Sequence, residues 1–335
     1  MEAMVIRQHG GIEQITLEKN FPDPKPEPGE VVVKVGATSL NYHDLFTLKG
    51  MPGIKVPMPM IMGIDVAGTV TTVGAGVTGW KAGDRVLIDP IDRERFRLLG
   101  EMYEGGLAQL VKVPAHQLVA LPKSISFEAA ACLPVAYGTA YRMMVARGGI
   151  QRGERVLILG ASGGVGTCCV QLAKMAGAEV IACASSESKL QRLKEMGADH
   201  GINYVETDFV EAVHKQFGKP RFAGDRNGVD VVVNFTGGDT WVKSMRCLHR
   251  NGRLLTCGAT AGFNPPTDIR FIWTFELNIV GSNGWDRQDL IELLKLTESG
   301  KIKPVVDHVF PLHQTRDAFA KLEKRDVCGK VLVKP

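Results

Sequence analysis

The stretch Arg155-Val-Leu-Ile-Leu-Gly-Ala-Ser-Gly-Gly-Val-Gly166 decides how the rest of the chain is read. An apolar run, Val156 to Leu159, enters a glycine-rich turn. Val165, Cys168, Cys169, Leu172, Ala173 and Ala176 leave it at helical spacing. Strand, tight turn and helix in that order form the first unit of a dinucleotide-binding fold. The turn needs small residues, because its backbone must approach a pyrophosphate and present amides at a helix N-terminus. The pattern reads Ala161-x-Gly163-x-x-Gly166, with alanine in the first glycine position. Ala161, Ser162, Gly163, Gly164, Val165 and Gly166 are therefore expected to hold the phosphates of a dinucleotide. The alternative is a structural strand-to-helix turn.

Downstream, strands and helices alternate. Glu179 to Ala184, Ile202 to Tyr204, Val229 to Phe235, Gly252 to Cys257 and Leu277 to Ser282 read as strands. Ser188 to Gly197, Asp208 to Phe217, Thr240 to Leu248 and Asp289 to Ser299 read as helices. That alternation is what a doubly wound parallel sheet requires. Upstream, residues 1 to about 122 are β-rich, with short runs such as Val31 to Val35, Val66 to Val73, Gly83 to Ile88 and Ala108 to Val113 between Gly and Pro. Many short strands with regular turns suggest a barrel-like antiparallel domain. The charged segment between Asp89 and Gly105 reads as a surface lobe. After Pro122 the pattern turns helical, from Ser126 to the Tyr137 to Met144 segment, with Ser126 a candidate N-cap. The tail Gly329-Lys-Val-Leu-Val-Lys334 resembles the first strands and is expected to rejoin them.

Composition sets limits. A chain of 335 residues is long for one core, so two domains are expected. Hydrophobic content of 44% and charged content of 23% are those of a soluble globular protein. A net charge of +4, with no dense basic run, implies neither nucleic acid nor membrane as a partner. The first residues lack a secretion pattern and no stretch is apolar enough to span a bilayer, so the cytoplasm is the expected location. Seven cysteines sit mostly in apolar runs without a CxxC pair, as small reduced hydrophobes do.

With these elements in view, the whole chain resembles the medium-chain dehydrogenase/reductase superfamily, in its zinc-free, NADPH-dependent quinone oxidoreductase-like (zeta-crystallin-like) branch. Asn41-Tyr-His-Asp44, Gly63-Ile-Asp-Val-Ala-Gly68, Gly83-Asp-Arg-Val86, Gly105-Gly-Leu-Ala108, Gly138-Thr-Ala-Tyr141, the 161–166 turn and Gly329-Lys-Val331 carry the resemblance. It implies a GroES-like catalytic domain, residues 1–124 and 268–335, and an inserted Rossmann NADP-binding domain, residues 125–267, with the active site in the cleft. It also implies a homodimer, for which the strand near Ile279 is a candidate edge.

Alcohol dehydrogenases of this superfamily place zinc ligands where this chain has Asn41, Ile64 and Val135. Ile and Val supply no donor, and the four closely spaced cysteines of a structural zinc lobe have no counterpart in 89–105. No metal is therefore expected; His43 reads as a hydrogen-bonding or lining residue. Without a Lewis acid, alcohol oxidation is hard to drive. A quinone, or the activated C=C bond of an enone or enoyl thioester, is an easier hydride acceptor, because charge develops on a remote oxygen that needs only hydrogen-bond donors. Asn41 and Tyr42 are the candidate catalytic donors, and Asn41 also a contact to the cofactor. Asp44 and Asp65 read as supports of the local backbone. A zinc-free alcohol dehydrogenase or aldehyde reductase, and a non-catalytic NADPH-binding protein, are the rival readings.

An NAD-selective Rossmann domain ends its second strand with an acidic residue. Here Ser185 stands at that position with Lys189 four residues on. A hydroxyl and a lysine suit a 2′-phosphate that a carboxylate would repel. Similar NADPH enzymes add a later tyrosine, and Tyr204 matches its spacing. Further cofactor contacts expected at the sheet's carboxyl edge are Thr139, Asn234, Thr236 and Gly237, Cys257, Gly258 and Ala259, Ser282 and Asn283, with Lys330 reaching the phosphates. Met51, Met58, Met60 and Met62 belong either to an apolar pocket or to the core. Arg93, Arg95 and Arg97 either meet a CoA phosphate or lie in water.

Overall fold

The alternation that starts at Arg155 builds one parallel six-stranded sheet in a computed structural model that describes residues 1–222 and 226–335. Its order is His200–Asn203, Glu179–Ala184, Arg155–Ile158, Val229–Val233, Leu248–Thr256 and Asn278–Gly281. Ile158 lies opposite Ala182 on one side and Val233 on the other. The chain winds outward from the central strand, then returns to its other side. The carboxyl ends at that reversal are where such sheets bind ligands. Val229–Val233 is buried along its whole length, because both faces of a parallel sheet are covered. Local chemistry starts the helices: the Asp208 carboxylate accepts from the Val210 and Glu211 amides, and Ser186 accepts from Lys189.

Contacts divide the chain into two units, Met1–Ala136 with Leu290–Pro335, and Tyr137–Asp289. These divisions fall later than the boundaries at 124 and 267 read from sequence. In the first unit, Glu30–Ser39 is the central strand. It pairs antiparallel with Asp65–Val73, Leu110–Pro114 and Lys330–Lys334. Val31, Val33, Val35, Val66, Val70, Val86 and Ile88 pack as one core beside it. The tail does rejoin the first strands, with Leu332 opposite Ser39. A smaller sheet joins Thr16–Glu18, Ala3–Ile6 and Met60–Ile61. Met60 and Met62 are core residues and Met58 packs against them, so core packing accounts for three of the four methionines.

Two segments differ from the sequence reading. The 89–105 lobe folds inward: Ile91–Asp92 pairs with Arg97–Leu98, while Asp92, Leu99 and Glu101 are buried. Carboxylates hold the three arginines, Arg93 to Asp89, Arg97 to Asp92 at 3.0 Å and Arg95 to Glu30 at 3.7 Å. The helical run after Ser126 is α-helical over Phe127–Ala131 and Thr139–Tyr141 but π-helical over Leu133–Gly138 and Arg142–Arg147. Pro134 supplies the reason for the first of these, since it has no amide to continue an i→i−4 ladder. Among the described residues no helix is long and apolar enough to cross a membrane.

Candidate active site

A buried ammonium organises the polar end of the first unit. Lys330 opens the tail strand and is 3% exposed. Its Nζ donates to Leu40 O at 2.8 Å, to Asn41 Oδ1, and to Asp65 Oδ2 at 3.3 Å. Asp65 is itself fully buried. Its Oδ2 also accepts from Ser39 Oγ at 3.0 Å and Asn41 Nδ2 at 2.8 Å, and its Oδ1 accepts from the Val135 amide at 2.9 Å. Backbone pairing sets this up, because Ser39 and Asp65 are direct partners across two strands. Lys330 is expected from sequence to reach cofactor phosphates; in this structure its three donors point to Leu40, Asn41 and Asp65 inside the unit.

The same cluster tests the fit of a zinc ion. Asn41 offers an amide already bonded at both ends, Ile64 is buried hydrocarbon, and Val135 contributes a backbone donor to Asp65. A cation, the Lys330 ammonium, already occupies the oxygens that remain. Among the described residues no group of three or more His, Cys, Asp or Glu is placed to hold a metal. These residues do not fit a zinc.

The helix Tyr42–Lys49 starts directly beyond this cluster. The Asn41 amide donates to Asp44 Oδ2 at 2.7 Å, so Asp44 supports local backbone as read from sequence. Burial pushes its carboxyl up to about 6. The Tyr42 hydroxyl accepts from Arg325 Nε at 3.2 Å, and that guanidinium lies 5.6 Å from the ring centroid. Its own hydrogen stays available to donate. His43 Nε2 is bonded to Glu101, which the folded lobe brings in from 58 residues away. Burial works against a charged imidazole here, yet the hydrogen bond and charge of Glu101, with Asp44 adding, raise its pKa above the ordinary histidine value. Sequence reasoning missed this pair.

In the second unit the glycine turn is tight and leads straight into a helix. Gly160 takes φ +63°, and the helix Gly164–Met175 starts without a side-chain cap. The amides of Gly164, Val165 and Gly166 therefore open the helix without intrahelical partners. A Cβ on Gly166 would lie 2.6 Å from the Ala161 carbonyl carbon, so only glycine permits this crossing. The amides of Ala161 and Gly163 go to Cys183 O and Gly160 O, which shapes the turn.

At the next strand end, Lys189 Nζ donates to Ser185 Oγ at 3.2 Å. The Tyr204 amide bonds Ala184 O and its side chain is exposed, so Ser185, Lys189 and Tyr204 share one corner. Glu187 is engaged by Asn203 Nδ2 at 3.4 Å. Thr236 and Phe235 lie against Gly160, and Ala259 packs against Gly237. The Ala261 amide, bonded to Thr236 O, ties that loop to the one carrying Gly258. Ser282 follows the last strand, its amide bonded to Thr256 O and its hydroxyl buried without a partner. Asn283 beside it is exposed, Cys257 half-buried, and Thr139 buried at 8%. Asn234 is fully buried; it accepts from the Thr236 and Gly237 amides and donates to Thr240 and Ser244, which builds the loop.

Comparison with known proteins agrees with both halves. Residues 27–123 match the alcohol dehydrogenase GroES-like domain, and residues 164–299 the domain described as zinc-binding dehydrogenase. The chain is 34% identical to an acryloyl-coenzyme A reductase of Sulfurisphaera tokodaii, covering 95% of this chain and 96% of that protein. It is 33% identical to a chloroplastic NADPH-dependent alkenal/one oxidoreductase of Arabidopsis thaliana, covering 100% and 80%. A crystal structure described as an NAD-dependent alcohol dehydrogenase matches over 100% of both chains, with a TM-score of 0.91 and 35% identity. With a GroES-like unit, a Rossmann sheet and relatives along nearly its full length, the chain belongs to the medium-chain dehydrogenase/reductase superfamily.

Proposed function

We propose that this protein is a zinc-independent, NADPH-dependent oxidoreductase that reduces the activated C=C bond of an enone or enoyl thioester, or a quinone. The observation that carries this reading is the Lys330 ammonium seated among Asn41, Asp65 and Leu40, where a catalytic zinc would need free ligands. The enoyl and enone reductases among its relatives support the same acceptor class.

NADPH, when bound, supplies a hydride. Gly164, Val165 and Gly166 would hold its pyrophosphate with backbone amides, and Ser185, Lys189 and Tyr204 its 2′-phosphate. Thr236, Gly258, Ala259, Ser282 and Asn283 line the remaining strand ends. In the first unit, Asn41 keeps one amide hydrogen beyond its bond to Asp65, and Tyr42 keeps its hydroxyl hydrogen. Both serve as donors to the oxygen on which charge collects, the term that usually dominates such catalysis. The network around Asp65 fixes Asn41 in place. Small molecules are thus the substrates, a homodimer through the edge strand Asn278–Gly281 is the assembly, and the mostly buried cysteines suit the reducing cytoplasm.

The test is oxidation of NADPH and NADH by the zinc-stripped protein against quinones, enones, acrylyl and crotonyl thioesters, and saturated aldehydes. NADPH loss with the first three groups is expected. Turnover of saturated aldehydes alone, or activity restored by zinc, would favour the alcohol dehydrogenase reading. Tight NADPH binding without turnover would make the protein a binding module.

A further inference from the structure

We propose that His43, held by Glu101, is the proton donor that completes the C=C reduction; this rests on the reading just given. Reduction of an activated alkene adds a hydride at the β-carbon and leaves an enolate, which must gain a proton at the α-carbon. That proton needs a side chain that holds it near neutral pH, can release it, and can be recharged from water.

The described histidines divide sharply on this point. His249 has both ring nitrogens engaged, by Asp230 and Arg250 O, and His200 is held by Glu179 and Gln216. His116 lies between Asp92 and Glu94. His9 and His214 are bonded to backbone carbonyls. His43 alone among these pairs one nitrogen with a buried carboxylate, Glu101, and leaves Nδ1 without a protein partner. Its side chain is 31% exposed, so water can reach it. An acid whose second nitrogen is fixed by a third group has a set tautomer and a set direction.

His43 also sits in the first turn of the helix that begins after Asn41, next to both proposed oxygen donors. The groups facing it are Glu101 from the lobe and Asp44 from its own helix, with Lys330 acting on Asp44. Two carboxylates favour the imidazolium. In the step, the Nδ1–H bond breaks and its proton forms the new α-C–H bond. The enolate electron pair makes that bond, and the carbonyl is restored. Neutral His43, still donating Nε2–H to Glu101, then takes one proton from water. Per cycle, one NADPH and one solvent proton are consumed. Glu101 is a positioning residue that never leaves its hydrogen bond.

The experiment uses the full chain with crotonyl thioester and NADPH, reading kcat against pH, and NMR titration of the His43 imidazole in the protein alone. As a general acid, His43 gives an activity that falls as pH rises through its raised pKa. His43→Gln should lower kcat by about 10²-fold or more and remove that limb. Glu101→Gln should move both the limb and the NMR midpoint to lower pH. Tyr42→Phe should slow turnover but leave the limb in place. An unchanged limb in Glu101→Gln, or a limb retained in His43→Gln, would overturn the donor assignment while C=C reduction still stood. Should His43→Gln fail to fold, the Glu101→Gln limb and midpoint decide alone. Wild-type protein that reduces no activated alkene would sink the reaction reading, and this assignment with it.

Discussion

Replacing Lys330 with methionine keeps the length of the buried chain and deletes only its charge. The ammonium is 3% exposed and its carboxylate partner is not exposed at all, so solvent screens neither. Breaking a pair of this kind leaves Asp65 as an uncompensated buried anion, which costs about 3–5 kcal/mol. For a unit of this size each kcal/mol lowers Tm by roughly 2–4 °C, so a fall of roughly 6–20 °C is expected at pH 7. Differential scanning calorimetry of the full chain measures it. The companion variant Asp65→Asn/Lys330→Met removes both charges. Its loss should be smaller than the two single losses added together by at least about 1 kcal/mol, since neighbours in one network are non-additive. A Lys330→Met protein within about 1 kcal/mol of wild type, or strictly additive losses, would refute the claim that this ammonium neutralises the cluster.

Lys189→Ala should raise KM for NADPH by about 10- to 100-fold, the value of one charge-assisted hydrogen bond, and leave KM for NADH unchanged; steady-state kinetics with both nucleotides checks this. Gly166→Ala should abolish nucleotide binding measured by calorimetric titration, because its Cβ meets backbone, whereas Gly281→Ala, with nothing within 4 Å, should bind normally. His249 is raised above its ordinary pKa, first by its hydrogen bond to Asp230. A raised histidine contributes stability that is whole below about pH 6.5 and is lost as pH climbs through its folded value. Urea unfolding at pH 5.5 and 8.5 should therefore show a pH-dependent loss that shrinks in His249→Gln.

What the sequence revealed and what it concealed differ by range. The Rossmann sheet was legible because each strand, turn and helix is specified within about thirty residues, and Ser185 and Lys189 are four apart on one turn of chain. The loop role of Asn234 was not legible, because a polar residue at a strand end looks alike whether it serves a ligand or its own loop. Its four partners lie within ten residues, but their closure depends on a turn geometry that spacing does not encode. Lys330 and Asp65 are 265 residues apart, and His43 and Glu101 are 58 apart. No local pattern marks such pairs; only the return of the tail strand and the inward fold of the lobe create them. The π-helical stretch carried a clue in Pro134 that periodicity alone passes over.

The division of the first unit between Met1–Ala136 and Leu290–Pro335 bears on how the molecule comes into being. Synthesis runs from the N-terminus, so Asp65 is made long before the lysine that neutralises it. The second unit is one uninterrupted segment and can complete its sheet while the first still waits for Lys330–Lys334. The half that is translated first is therefore the half that finishes last. In that interval the open flank of Glu30–Ser39 and its buried anion are what a nascent-chain chaperone would meet.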